Sequence, residues 1–358
     1  ASDPPILDFD PLVDIHVTVK IDTIRYLEFS KTYPDEYDDP TFKIKLEIND
    51  VEYDSPTWSE QKRFYDLNWQ TTVDVFDSDE IVEVKIKLYN AHELCDINEL
   101  PDRKDIKLHY SLKTGHWIGD DELGDPSGYG RLNGCADSLD FFENDCEIFF
   151  DIYQTDFDSD GIPFYVEKYD YNTSPLISNI GEDLDNDSIP IEWEYKWGYD
   201  PNTWDDHENI DQDSDSVNNY EEFLTSDYNS DPFRRDYFLE FDQMELDPDS
   251  PGELISQETI EMLTDRYNSH DIVYHFDYGS MGGGGEIIPF DECTTKNELY
   301  GLYDNYFLDN DSDNWRRSVF RWGVFTHDYT GGAAHAFIGE GALINSNVPG
   351  INSFHVTR

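Results

Sequence analysis

Three stretches of this sequence place carboxylates at the spacing of an oxygen-ligand metal loop. The first is Asp156-Phe-Asp158-Ser-Asp160-Gly161-Ile162, closed by Glu167. The second is Asp183-Leu-Asp185-Asn-Asp187-Ser188-Ile189, closed by Glu194, and the third is Asp211-Gln-Asp213-Ser-Asp215-Ser216-Val217, closed by Glu222. Each copy carries acids at positions 1, 3 and 5, a small residue at 6, an apolar residue at 7 and Glu at 12. Calcium takes six to eight oxygens at about 2.3–2.6 Å. A tightly coiled loop aims side chains 1, 3 and 5 at one point, the position-7 carbonyls of Ile162, Ile189 and Val217 add an oxygen each, and the Glu at 12 can bind through both of its oxygens. Position 6 needs a sharp turn, for which Gly is least strained; Ser188 and Ser216 stand there in the second and third copies and are expected to weaken those sites. A solvated acidic linker would not repeat the position-12 Glu three times. The expected cofactor is therefore Ca2+, three ions or more.

The copies recur at a near-constant interval, so they form a repeat array. Short apolar-periodic pieces such as Ile191-Glu-Trp193-Glu-Tyr-Lys-Trp197 lie between the loops. Turns containing Pro175, Pro201 and Pro232 follow, and each unit reads as loop, short helix, turn. These repeats resemble the secreted Asp-rich calcium repeats of the thrombospondin type 3 and dockerin kind, with EF-hand-like loops. The resemblance implies structural calcium in an extracellular protein, stiffening a segment with little core of its own.

The composition points the same way. The chain has 358 residues, with 80 acidic against 24 basic side chains and a formal charge of −56. Nucleic acid is excluded as a partner, and docking on an anionic membrane is not expected. Such a charge repels itself unless cations offset it; a halophilic origin is the competing explanation. Aromatic residues make up 15%, enough to build cores. There is no transmembrane run. The chain starts at Ala1, which reads as a processed secretory product. Cys95, Cys135, Cys146 and Cys293 suit an oxidising compartment, and Cys135 and Cys146, close in sequence, are expected to pair. No CxxC occurs, so a thiolate zinc site is not expected.

The loops must be held by flanking domains. Residues 1–13 read as an extended, Pro-rich arm. Residues 14–153 alternate with period two at Ile15–Ile21, Phe42–Ile48 and Val82–Leu88, with further strands at Thr71–Phe76, Ile106–Leu112 and Glu147–Tyr153. Asn49-Asp50 suits a hairpin turn. The reading is an antiparallel β-sandwich of seven or eight strands. Asp39-Pro-Thr-Phe-Lys-Ile-Lys, Asp66-Leu-Asn68-Trp69 and Gly119-Asp-Asp121-Glu-Leu-Gly124-Asp125 resemble elements of the synaptotagmin-like calcium- and phospholipid-binding sandwiches. That resemblance implies calcium on Asp35, Asp38, Asp39, Asp120, Asp121 and Asp125. It lacks the Pro after Asn68 and a basic strand face, so membrane docking does not follow from it. His116 has no neighbours that complete a metal set and reads as structural.

After residues 154–233, which hold the three repeats, the pattern changes. Tyr237–Asp242 and Ile272–Phe276 read as strands flanking a helix capped by Ser256, with Ile260, Leu263 and Tyr267 as its apolar stripe. Gly282–Gly285 lacks the Lys-Ser/Thr of a phosphate loop and reads as a turn. A helix is expected from Lys296 to Leu308 and a strand at Val319–Phe325, and Asp309-Asn-Asp311-Ser-Asp313 is half a calcium loop with Phe320 at position 12. The stretch 234–358 is thus expected to be an α/β domain. Arg234-Asp-Tyr-Phe-Leu-Glu-Phe-Asp and Phe320-Arg-Trp-Gly-Val-Phe-Thr-His resemble the N-terminal half of a metzincin-type secreted zinc peptidase. In that family a His-Glu-x-x-His helix follows the last strand; none occurs here. His327, His335 and His355 match no helical pair, so Zn2+ is not expected and no catalytic residue carries over. No Gly-x-Ser-x-Gly elbow occurs either, and among 80 acids any close carboxylate pair is expected by chance.

Two functions remain. One is a secreted, calcium-stabilised multidomain protein that binds other extracellular proteins or self-assembles, its repeat array a rigid spacer. The alternative is a fragment or processed part of a zinc metallopeptidase whose catalytic helix lies outside this chain.

Overall fold

The structure is a computed structural model that describes residues 14–27, 40–59, 64–76, 79–98, 100, 103–120, 129–133, 144–245, 255–268, 272–326, 334–337 and 353–357. The expected N-terminal arm, Asp35, Asp38, Asp39, Asp121, Asp125, Cys135 and His327 lie outside these residues. The chain divides into two compact units, residues 1–205 and 206–358.

The first unit contains a β-sandwich. One sheet runs in the order β4 (Phe64–Asp74), β1 (His16–Tyr26), β10 (Cys146–Gln154), β9 (Tyr129–Asn133). The other runs β3 (Val51–Ser59), β2 (Thr41–Ile48), β5 (Ile81–Asn90), β7 (Ile106–Ser111), β8 (Trp117–Gly119), with β6 (Glu93–Leu94) beside β5. All named strand pairs in both sheets are antiparallel. The period-two pattern works as the sequence implies: Phe42, Ile44, Leu46 and Ile48 of β2 face Val17, Val19 and Ile21 of β1 and Ile148, Phe150 and Ile152 of β10 in one core. Asn49 and Asp50 make the β2–β3 turn with φ of 46° and 64°, the left-handed geometry that a two-residue hairpin requires. Asn68, with φ 44°, sits at the irregularity where β1 and β4 shift register.

The second unit holds a six-stranded sheet ordered β12 (Ile272–Asp277), β11 (Arg235–Met244), β14 (Phe320–Thr326), β16 (Ser353–Thr357), β15 (Ala334–Phe337), with β13 (Ile287–Ile288) beside β11. Its pairs are parallel except β15–β16. β11 is buried on both faces, as a covered parallel strand must be, with Glu240 and Asp242 buried among its apolar residues. Phe238 packs with Phe320, Trp322 and Leu299, while Leu239 and Phe241 pack with Phe276 and with Ile260 and Leu263 of the helix Gln257–Asn268. Ser256 caps that helix through the Thr259 N–H. The expected helix from Lys296 is regular only to Leu302, then widens into a π-type turn, Tyr303–Phe307.

The Gly-rich run is a tight turn wound round a carboxylate. Asp277 Oδ1 accepts the N–H groups of Gly279, Ser280 and Met281 (3.0, 3.0 and 2.9 Å), and Oδ2 that of Gly283 (3.1 Å). Buried Arg316 donates from Nη2 to Asp277 (2.6 Å), from Nε to Glu240 (2.8 Å) and from Nη1 to the Met281 carbonyl (2.7 Å). A Cβ at Gly284, where φ is 68°, would lie 2.5 Å from the Asp277 carbonyl oxygen, so only glycine fits there. Arg316→Met would leave Glu240 and Asp277 buried without their cation. The expected loss is about 3–5 kcal/mol, read as a lower denaturation midpoint of the second unit.

Candidate metal centres

The three acidic loops have one geometry. At position 1, Asp156 accepts the N–H groups of Asp158, Ser159 and Gly161 (3.2, 2.9 and 2.7 Å). Asp183 does the same for Asn186, Asp187 and Ser188 (2.6, 3.3 and 3.0 Å), and Asp211 for Ser214 and Ser216 (2.7 and 3.1 Å). These bonds coil the loop. Coiling forces left-handed backbone at position 4 (Ser159 67°, Asn186 66°, Ser214 64°) and at position 6 (Gly161 88°, Ser188 85°, Ser216 78°). Position 5 accepts the position-7 N–H: Asp160 from Ile162 (3.0 Å), Asp187 from Ile189 (3.0 Å), Asp215 from Val217 (2.6 Å). The Ile162, Ile189 and Val217 side chains are buried and anchor each loop.

With positions 1 and 5 engaged by the backbone, positions 3 and 12 carry the bare oxygens. Neither carboxylate oxygen of Asp158 has a hydrogen-bond partner, nor has Oδ2 of Asp185 or of Asp213. The ligand atoms of each trio, Asp156–Asp158–Asp160, Asp183–Asp185–Asp187 and Asp211–Asp213–Asp215, lie within 4.8 Å of one another.

Position 12 comes from the helical turn after each loop: Glu167 from Val166–Tyr171, Glu194 from α1 (Ile191–Trp197) and Glu222 from α2 (Asn219–Leu224). These carboxyls are 1%, 0% and 1% exposed. Both oxygens of Glu194 and both of Glu222 lack a partner; the nearby Ser230 hydroxyl donates to the Glu222 main-chain carbonyl instead (2.8 Å). The Thr173 hydroxyl reaches Glu167 at 3.4 Å. An ionised carboxylate is not buried without a cation or several donors. The metal-free electrostatics register the conflict. Burial, then the charges of Asp160, Asp158 and Asp156, push Glu167 up to about 8. Burial, then Asp187, Asp185, Asp183 and Asp205, push Glu194 to about 9. Glu222 is driven well above the usual range by burial and then by Asp236. Asp213 rises to about 8 and Asp215 to about 7, burial again being the largest cause. Each site is buried and strongly anionic, and its loop ligands are all oxygens, which suits a hard divalent cation.

The other sequence candidates fare differently. Asp120 is engaged by Arg103 (2.5 and 2.6 Å), by Asn98 Nδ2 (3.2 Å) and by the Lys107 N–H (3.0 Å), so it serves the sandwich fold rather than an open calcium loop. Asp309, Asp311 and Asp313 are exposed, and Phe320 at position 12 is fully buried in β14. His116 lies against the Tyr195 ring (centroids 4.7 Å apart). His335 and His355 stand opposite each other in the β15–β16 register, a cross-strand relation that a search for helical spacing does not detect.

No protein-family model matches the chain, and no curated protein does. Among solved structures it is similar to Extended-Synaptotagmin 2, in a structure that spans the SMP domain and two C2 domains: 12% identity, TM-score 0.25, 40% of this chain and 28% of that one. The calcium-bound pair of C2 domains of Extended-Synaptotagmin 2 gives 10% identity and a TM-score of 0.23 over 39% of this chain and 42% of that one. Human GIVD cytosolic phospholipase A2 gives 11% and 0.24 over 41% and 17%. The chain thus spans under half the length of these structures. Overlaps of this size carry no functional weight.

Two outcomes follow from the loop geometry. In the unfolded chain these glutamates titrate near their ordinary value of 4.5, whereas in the metal-free fold they hold protons to about 8 or 9. The metal-free protein therefore binds more protons folded than unfolded. Its stability is greatest below the unfolded value and declines as pH rises through that window. In chelator, the melting temperature should fall between about pH 5 and pH 9; with saturating calcium, which displaces those protons, it should fall instead on acidification. Separately, Ser216→Gly relieves a left-handed residue and should raise stability in calcium by about 1 kcal/mol, while Gly161→Ser should lower it by a similar amount; calorimetry of both variants reads the difference.

Proposed function

We propose that this chain is a secreted, multidomain calcium-binding protein in which structural Ca2+ stiffens the stretch 154–233, serving extracellular binding or assembly. The observation that carries the reading is the set of buried position-12 glutamates, above all Glu194, wholly buried with both oxygens bare. Calcium would be held by Asp156, Asp158, Asp160, the Ile162 carbonyl and Glu167 in the first loop. Asp183, Asp185, Asp187, the Ile189 carbonyl and Glu194 would serve the second, and Asp211, Asp213, Asp215, the Val217 carbonyl and Glu222 the third. The thrombospondin type 3 and dockerin resemblance supports an extracellular or cell-surface setting, where calcium is abundant enough to occupy such sites. Partners on this reading are other extracellular proteins or further copies of the chain.

Ions bound only by the folded state stabilise it by mass action. The mechanism is mechanical: each cation neutralises its cluster, fixes loop to helix, and removes the repulsion that would otherwise open the segment. The second reading, part of a secreted zinc metallopeptidase, is favoured by the strand–helix–strand unit and mixed sheet of the second unit, which match the element order of the metzincin resemblance. On that reading the calcium loops stiffen an accessory segment, and the zinc helix lies outside this sequence.

Metal analysis by mass spectrometry on protein dialysed without chelator, with melting in excess EDTA, tests both. Three or more calcium ions per chain and a large fall in melting temperature in EDTA are expected, with one ion fewer in Glu194→Gln. Absence of calcium with unchanged melting would overturn the first reading. Stoichiometric zinc would move the conclusion to the second.

A further inference from the structure

In every repeat the position-5 carboxylate reaches beyond its own loop. Its second oxygen accepts a main-chain N–H from the segment that follows: Asp160 from Asn179 (3.0 Å), Asp187 from Asp205 (3.2 Å), Asp215 from Asp236 (2.6 Å). Any residue but proline has that N–H to give, yet the donor is Asn or Asp each time. A backbone pinned to a position-5 carboxylate carries its own side chain beside that loop.

Asn179 is the most informative of the three. It is 9% exposed, and its Nδ2 donates to Glu182 Oε2 (2.5 Å), which settles which end of the amide is the oxygen. That oxygen, Oδ1, is buried and has no hydrogen-bond partner. A buried amide oxygen is a hard donor of the type calcium accepts. The other two positions carry carboxylates. Asp236 is 3% exposed at the start of β11, oriented by the Asp231 N–H (2.7 Å) and by His275 Nε2 (2.7 Å). Each carboxylate oxygen can take a cation on a remaining lone pair. The loop itself supplies about six oxygens when the position-12 Glu binds through both of its own, and calcium accommodates up to about eight.

We propose that Asn179, Asp205 and Asp236 each give a further oxygen to the calcium of the preceding loop, so that every ion joins its loop to the segment after it. Sites one and two thereby close the successive turns of residues 154–205. Site three binds to the first residues of β11, where Asp236 continues through His275 to β12. The proposal rests on the calcium reading of the loops.

Asn179 is the position to test, because its oxygen serves nothing else among the described residues. Calcium titration of the stripped full chain by calorimetry is compared for wild type, Asn179→Ala and Asn179→Asp. The lifetime of bound Tb3+ luminescence in H2O and D2O counts the waters on the ion. The expected result is that Asn179→Ala keeps every site, weakens one by about tenfold and adds about one water per chain to bound Tb3+. Asn179→Asp should restore the affinity and the water count, which a purely structural amide would not allow, and Asp205→Ala should repeat the loss at a second site. Wild-type binding with all sites unchanged in Asn179→Ala would overturn the proposal and leave the calcium reading standing. So would a loss that Asn179→Asp does not restore, or a loss without an added water. No calcium binding by wild type would overturn both.

Discussion

A carboxylate removed from water must meet a cation or keep its proton, and the stretch 154–233 is built on that constraint. Glu167, Glu194 and Glu222 are enclosed in the helical turns that directly follow the apolar anchors Ile162, Ile189 and Val217. They cannot be moved to solvent without opening those turns. Coiling of each loop then delivers three more acids to the same point. Hydrogen bonds from the backbone hold this arrangement in place, but they leave Asp158, one oxygen each of Asp185 and Asp213, and the carboxylates of Glu194 and Glu222 bare. The fold of the repeat and the demand for a hard cation are therefore one property.

The second unit solves a related problem by other means. Glu240 and Asp277 are as buried as the loop glutamates, but Arg316 lies between them and four N–H groups of the Gly-rich turn converge on Asp277. Where the chain supplies its own cation and donors, a buried carboxylate is a structural fastener. Where it supplies neither, as at Glu194, the carboxylate is a candidate for binding a cation. The contrast within one molecule is what separates the three acidic loops from the many other acids of so anionic a chain. Asp120, matched to Arg103, falls on the fastener side.

Much of this was legible in the residues. The alternation of Phe42–Ile48 and Val82–Leu88 indicated half-buried strands because side chains alternate faces with period two, and both became core strands of the sandwich. Less visible were β3 and β8, in which few residues are buried and the alternation is correspondingly faint. The helix at Lys296 looked regular to Leu308 because apolar spacing does not distinguish α from the wider π turn at Tyr303–Phe307. Spacing within twelve residues was enough to gather Asp156, Asp158 and Asp160, since local coiling alone brings them together.

Sequence by itself determined the candidate ligands of each loop and the excess of negative charge, because both depend on residue type and short-range spacing. Only the tertiary structure decided which acids are neutralised and which are bare, since Arg316 lies far along the chain from Glu240 and Arg103 from Asp120. It also decided that Asn179, Asp205 and Asp236 stand beside the loops before them. No fixed spacing marks those residues. Their place depends on where each turn returns the chain, which is set by packing around Ile162 and Ile191 in one unit and around Val217 and Phe238 in the other.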